Sequence, residues 1–223
     1  MTLNSVKPRE PRVYDIVAIS FVALLILSNI AATKLIGIHI GPALLVFDGG
    51  AVLFPLTYIL GDVLSEVYGF SRARRAILAG FAFSILAALT FLVVGAAPAG
   101  PGYENQEAFV AVLGFVPRIV AASVLGYLAG QLLNSWVLVR IKAKWGERHL
   151  WARLIGSTLV GEFADTLIFC TVAFYGVITG AEFLNYLFVG YVYKVGVEVI
   201  LLPVTYRVIG WIKRIESYEE SHV

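Results

Sequence analysis

The stretch LIGSTLVGEFADTLIFCTVAFYGV, residues 154–177, is long and apolar enough to cross a bilayer, yet it carries Glu162 and Asp165 near its middle. A hydrocarbon core takes about 20 apolar helical residues per crossing. An ionisable side chain at the centre of that core costs about 2.5–3.5 kcal/mol, so such groups turn toward a protein interior. Working outward from this stretch, the same conflict recurs at Asp62, Glu66, Arg118, Lys194 and Glu198. Seven charged groups facing lipid would cost roughly 15–25 kcal/mol in all. They must face inward, and a polar interior implies either a pathway for a polar solute or an intramembrane reaction centre.

The composition agrees. Of 223 residues, 59% are hydrophobic and 14% charged, against about 45–50% and 25% in soluble domains. The expected fold class is all-α, a polytopic membrane protein of six transmembrane helices: Val13 to Lys34, Ala51 to Tyr68, Ala76 to Ala97, Arg118 to Val139, Leu150 to Val177 and Phe183 to Trp211. Of the 17 Lys and Arg residues, 14 fall in four segments around residues 7–12, 72–75, 140–153 and 207–214. Every second connection is therefore basic, while the others carry Asp48, Glu104, Glu107 and Glu182. The positive-inside rule then places both termini in the cytoplasm. The organisation is a cytoplasmic segment at 1–12, a six-helix transporter domain at 13–212 and a cytoplasmic tail at 213–223. Reading Met1 to Ala32 as a cleaved signal peptide would reverse this alternation and is disfavoured.

Two stretches depart from simple spans. Glu107 to Val139 is too long and is divided by Pro117, so its first part is expected at the outer surface or as a short extra helix. Leu35 to Phe54 mixes Gly37, Gly41, Pro42, Gly49 and Gly50 with β-branched residues, which fits a hairpin or an irregular loop. The tail from Glu216 onward has no legible role. Cys170 is the sole cysteine, and His39, His149 and His222 are far apart, so no thiolate cluster or other metal site is expected. HExxH, GxxxxGK[ST] and nucleophile-elbow motifs are absent, and Asp62 follows Ile59, Leu60 and Gly61 instead of the GxGD turn of intramembrane aspartyl proteases. The expectation is a non-enzyme without cofactors.

Helical spacing groups the polar residues by face. Tyr58, Asp62 and Glu66 share one side, as do Thr158, Glu162 and Asp165, and Tyr191, Lys194 and Glu198. Tyr127, Gln131 and Asn134 form a further stripe, and Asn29 with Thr33 another. Each has a plain alternative. Lys194 and Glu198 are placed to form a structural ion pair within one helix, Arg118 to snorkel to an interface, and Asp62 and Glu66 to serve as hydrated gate residues instead of a binding site. Glu162 and Asp165 are hardest to dismiss, because two carboxylates one turn apart near mid-membrane repel if both ionise. Ala76, Gly80, Ser84 and Ala88, and likewise Ala122, Gly126 and Gly130, form small-residue stripes for close helix contact, within the chain or between copies of it.

FPLTYILGDVLSEVYGFSRARRAI at 54–77, followed by PRIVAASVLGYLAGQ, GEFADTLIF and YKVGVEVILLP, resembles the queuosine precursor transporter family, vitamin-uptake-like proteins of bacterial inner membranes. The resemblance spans nearly the whole chain. It implies uptake of 7-deazaguanine bases, the cyano form preQ0 and the aminomethyl form preQ1, and characteristic positions at Asp62, Arg118, Gln131, Asp165 and Lys194. Glu66 and Glu162 are less typical of that family. In such a site one carboxylate, Asp165 first and Glu162 second, would accept the adjacent N1–H and 2-amino donors of the base. Gln131, Lys194 or Arg118 would donate to its carbonyl, Asn134 would add a polar contact, and Tyr127, Phe169 or Tyr191 would stack on the ring. Asp62, Glu66 and Glu198 are gate or proton-coupling candidates. The expected partners are the small-molecule substrate and membrane lipid, with no nucleic acid, and the chain acts alone or as a homodimer. The rival expectation is the substrate-binding membrane subunit of an ATP-driven vitamin-type importer.

Overall fold

The computed structural model describes residues 11–145 and 150–216, with the side chains of 142–155 undescribed. Lys7, Arg9, His149, His222 and most of the expected tail lie outside those residues. The chain is mostly helical: α1 (Tyr14–Ala31), α2 (Phe54–Ala96), α3 (Gln106–Leu113), α4 (Val116–Trp145), α5 (Leu150–Phe174) and α6 (Gly180–Ile215). Between α1 and α2 run two strands, β1 (Leu35–Ile40) and β2 (Ala43–Asp48), which amend the all-α expectation at the segment where the sequence also allows a hairpin. They pair antiparallel from Leu35 with Asp48 to Ile40 with Ala43, turning tightly at Gly41, whose φ of 59° is left-handed. A lone two-stranded hairpin is marginal in water. Here Asn185 of α6 grips its second strand, accepting from the Val46 amide at 3.1 Å and donating to the Leu44 carbonyl at 2.8 Å.

Five helical stretches among the described residues are long and apolar enough to cross a membrane: Tyr14–Ala31, Phe54–Ala96, Gln106–Ile141, Gly156–Phe174 and Gly180–Ile215. Two of the six expected spans thus fall within α2. At 43 residues, α2 would be about 65 Å long if straight, twice the thickness of a hydrocarbon core. It is not straight. Gly69 has φ 78° and ψ 167°, a region essentially confined to glycine. A β-carbon built on Gly61 would lie 3.8 Å from the Phe21 ring, and one on Gly80 would lie 3.9 Å from the same ring. Nineteen residues of straight helix would hold those two positions about 28 Å apart, so the chain doubles back at Gly69.

Gly114 and Phe115 separate α3 from α4, and Pro117 lies in the first turn of α4, where its missing N–H costs no helical bond. The short extra helix expected before Pro117 is α3. Both small-residue stripes are used inside the chain. Gly80 faces Leu25 and Phe21 of α1, and Ser84 accepts a hydrogen bond from Asn29 at 3.3 Å. Between α4 and α5 the approach is closer: a β-carbon on Gly130 would lie 2.9 Å from the Gly161 carbonyl oxygen and 3.0 Å from Cβ of Asp165.

Among the described residues there are three apolar clusters: one of Ala88, Val116 and Val120 joins α2 to α4, and the two larger sit at the two ends of the bundle. One joins Val17 and Phe21 of α1 to Leu64, Val67 and Ala76 of α2 and Ile209 of α6. The other, beside the hairpin, joins Ala32, Ile119, Ala122, Cys170, Phe174 and Tyr186. Large apolar side chains including Ile19, Val93, Leu132 and Ile200 point outward and are more than half exposed, a surface suited to lipid. At the end opposite the hairpin, Glu216 has a definite role that the sequence does not suggest. Its carboxylate accepts from the backbone amides of Arg12 at 2.8 Å and Val13 at 3.0 Å, and from the Tyr68 hydroxyl at 2.9 Å. Burial works to raise this carboxyl, but the three donors outweigh it and hold it below its ordinary value.

Gly130→Ala is expected to force α4 and α5 apart and to cost about 1–3 kcal/mol of stability, the usual range for overpacking. Thermal melting of detergent-purified protein should show the loss, while Gly100→Ala, which meets no neighbour within 4 Å, should melt like the parent.

Candidate functional site

Between the two cores lies a cavity of about 270 Å³. That is just under the ~300 Å³ at which pockets begin to hold drug-sized molecules, so it suits a small solute. Aromatic rings form much of its wall: Phe47, Phe54, Phe81, Tyr127, Phe169 and Tyr193. Its charged lining residues are Asp48, Asp165 and Lys194. Asn29, Thr57, Tyr58 and Thr166 add polar atoms.

Lys194 of α6 forms an ion pair and hydrogen bond with Asp165 of α5. Its partner is thus on another helix, and the alternative of a pair with Glu198 one turn along α6 is not the one formed. Two features of the sequence place Asp165. It sits on the α5 face packed against α4, and Gly126 and Gly130 leave room for it, since a β-carbon on Gly126 would lie 2.8 Å from Oδ1 of Asp165. The ammonium also lies 5.7 Å from the centre of the Phe54 ring and 5.9 Å from that of Phe169. Ring quadrupoles attract a cation at that range, so the lysine is held by one carboxylate and two aromatic faces.

Asp48 ends β2 at the hairpin side of the cavity. Its Oδ1 accepts from the Gly50 amide at 2.8 Å and its Oδ2 from the Tyr186 hydroxyl at 2.7 Å. Burial pushes its carboxyl above the ordinary value, against the opposing pull of those two donors and the charge of Lys194. The Tyr193 hydroxyl donates to the Ala51 carbonyl at 2.8 Å, and the rings of Phe47 and Tyr193 lie nearly parallel, 6.5 Å between centroids. The hairpin is thus bound to α6 at Asn185, Tyr186 and Tyr193, and roofs the cavity.

Away from the hairpin the acidic residues continue. Tyr58 lies within electrostatic reach of the carboxylates of both Asp62 and Glu198. Glu162 lies within electrostatic reach of Lys194, Asp165 and Glu198, and its Oε2 is buried without a hydrogen-bond partner. Glu66 is exposed at the far end of this series. Among the described residues no group of His, Cys, Asp or Glu is arranged to hold a metal ion.

Of the residues singled out from sequence, Asp165, Lys194, Tyr127 and Phe169 line the cavity together. Glu162, Asp62, Glu66 and Glu198 lie along the acidic series beyond it. Gln131 is exposed and outside the lining. Arg118 instead caps the end of α5, donating to the carbonyls of Val172 at 2.7 Å and Tyr175 at 2.6 Å, with Phe115 beneath its guanidinium. Tyr191 donates to the Leu159 carbonyl at 3.2 Å and packs edge-on against Phe163, also outside the lining. Asn134 meets Gly161, with its Oδ1 buried and unpartnered. Sequence reasoning missed Asp48, Phe47, Phe54, Phe81 and Tyr193 as lining. An acid beside two glycines at the end of an apolar hairpin is the signal that pointed to Asp48, but nothing local says that the hairpin folds over the bundle.

Long apolar helices around a charged, solute-sized cavity define a membrane transporter. The particular kind follows from kinship: residues 48–208 match the family described as "Putative vitamin uptake transporter", and the chain belongs to that family. It is 35% identical over 160 residues to the "Probable queuosine precursor transporter" of Bacillus subtilis, covering 70% of this chain and 69% of the relative. It is also 29% identical over 163 residues to the "Queuosine precursor transporter" of Escherichia coli, covering 72% and 71%. The corresponding protein of Haemophilus influenzae, named as probable, is 26% identical over 163 residues, covering 72% of this chain and 67% of the relative. No solved structure matches the chain.

Removing one partner of this part-buried ion pair, whose side chains are 20% and 23% exposed, leaves a charge that water compensates only in part. Lys194→Met is therefore expected to lose stability, by less than the roughly 3–5 kcal/mol of a fully buried pair, and adding Asp165→Asn should recover most of it. Thermal melting in detergent checks this. If Glu198 were the true partner, Glu198→Gln would be the rescuing change instead.

Proposed function

We propose that this protein imports queuosine precursors, the 7-deazaguanine bases preQ0 and preQ1, across the cytoplasmic membrane. The observation that carries the proposal is the Asp165–Lys194 pair in an aromatic cavity of nucleobase size, in a chain whose relatives carry that name. The base enters with its flat ring against Phe169, Tyr127 or Phe54. Asp165 accepts from N1–H and the 2-amino group, and Lys194 donates to the carbonyl oxygen.

Occupation of Asp165 by the base weakens its hold on Lys194. While it donates to the base, the ammonium has a further hydrogen to offer Glu162, one helical turn along α5, whose Oε2 waits without a partner. That contact connects the cavity to Glu198, Asp62 and Glu66, which serve as the inner gate and the route for any coupled proton. Because α2 doubles back at Gly69, its two limbs count as separate crossings. Six crossings with both ends cytoplasmic then put Arg72, Arg74 and Arg75 inside and the hairpin outside, in accord with the positive-inside rule.

Orientation is open to a clean test, because Cys170 is the chain's sole cysteine and is buried. Pro42→Cys, at the exposed hairpin turn, should react with an impermeant maleimide in intact cells, and Arg74→Cys only after lysis. The opposite pattern would overturn the orientation.

Function is tested in a bacterium that lacks both precursor synthesis and its own transporter, fed preQ0 or preQ1, with queuosine in tRNA as the readout. The chain alone is expected to restore queuosine. Asp165→Asn turns an accepting oxygen toward the donors of the base and should lower uptake about tenfold to over a hundredfold at equal protein level. Restoration only after an ATPase module is added, or full uptake by Asp165→Asn, would sink the proposal.

A further inference from the structure

Among the described residues the cavity is lined by two carboxyl groups, Asp48 and Asp165, and one cation, Lys194, which is committed to Asp165. Lys194 acts on Asp48 only from beyond contact, and the hydrogen-bond donors on Asp48, the Gly50 amide and the Tyr186 hydroxyl, are neutral. A carboxylate offers about four acceptor positions, and these two donors use half of them. Ordinarily a buried charge is paired or stays very expensive, so a carboxylate held only by neutral donors in the cavity wall has capacity for a cation. A second polar group in the lining is also unsatisfied: the Thr166 side chain is 2% exposed and its Oγ1 has no hydrogen-bond partner. Both observations describe a chamber completed by a polar solute.

We propose that Asp48 is a cation subsite, taking a primary ammonium group carried by the transported base while Asp165 and Lys194 hold the neutral hydrogen-bonding edge. The inference rests on the nucleobase reading above and deepens it. It assigns the two ends of the cavity to two parts of one solute, and makes the chain prefer an aminomethyl base to one bearing a neutral group in the same place. The neutral donors on Asp48 serve this role well. Tyr186 and Gly50 fix the carboxylate without cancelling its charge, and the loop N-terminus that Asp48 caps keeps it at the cavity wall. The roof over the solute is then also the element that reads its charge.

The experiment compares preQ1 with its isostere in which the ammonium nitrogen is replaced by a neutral hydroxyl oxygen. Binding to the purified full-length protein is measured by calorimetry near pH 7. Wild type is expected to favour preQ1 by about tenfold or more, the usual range for a charge-assisted hydrogen bond. Asp48→Asn, which retains an oxygen for the Gly50 amide, should shrink that preference to within about twofold. Equal binding of the two compounds by wild type would overturn the inference while leaving the nucleobase reading intact. An unchanged preference in Asp48→Asn would do the same. Should the variant fail to fold, the wild-type comparison still decides. Binding of neither compound by wild type is the distinct result that would remove the nucleobase reading itself.

Discussion

The structure depends on keeping the Lys194 ammonium charged inside a protein whose outer surface suits lipid. Taking an ion out of water costs several kcal/mol even after relaxation, and that cost is met only if a partner is held firmly at contact. Asp165 is that partner, and its place depends on three glycines. Gly126 and Gly130 admit the Asp165 side chain and backbone, and Gly161 lets α5 lie against Asn134 and Gly130 of α4. A β-carbon at Gly126 or Gly130 would press on α5 or its acid, and one at Gly161 on Asn134 and Gly130 of α4. The close packing of α4 on α5 is thus an electrostatic device as much as a steric one.

The same reasoning explains why the cavity lies between two apolar cores and not at one end. Val63, Leu64 and Ile209 seal the side near Glu216, and Ile119, Phe174 and Tyr186 the side under the hairpin. Flanked by these apolar clusters, the polar groups between them sit where each unmet donor or acceptor is costly. The unpartnered Thr166 hydroxyl and Glu162 oxygen carry that cost until a solute or a shifted side chain meets them. Strong tension of this kind suits a site that binds and then releases.

Much of this was legible in the sequence, because membrane insertion writes itself into local patterns. Apolar run length marks the crossings, basic clusters mark alternate loops, and four-residue spacing puts Asp165 and Lys194 on inward faces. The small-residue stripes were visible as packing faces, although only the structure shows that the chain uses them on itself. Partner choice was not legible. Lys194 has Glu198 one turn away and Asp165 on another helix, and periodicity reveals only the first. Gln131 and Tyr191 fell on polar stripes that turn out to face away from the cavity, since a stripe gives a direction relative to its own helix and no more. Asp48 looked like a loop acid because its inward position depends on Asn185, Tyr186 and Tyr193, more than 130 residues along the chain.

The clasp at Glu216 bears on how the molecule is made. The amides of Arg12 and Val13, just ahead of α1, have no partner within that helix, and the acid that receives them lies 204 and 203 residues further along the chain. Until that acid has been made, α1 waits with its start uncapped, and Tyr68 waits with it. Only when α6 is in place does one carboxylate join the start of α1, the bend of α2 and the end of α6.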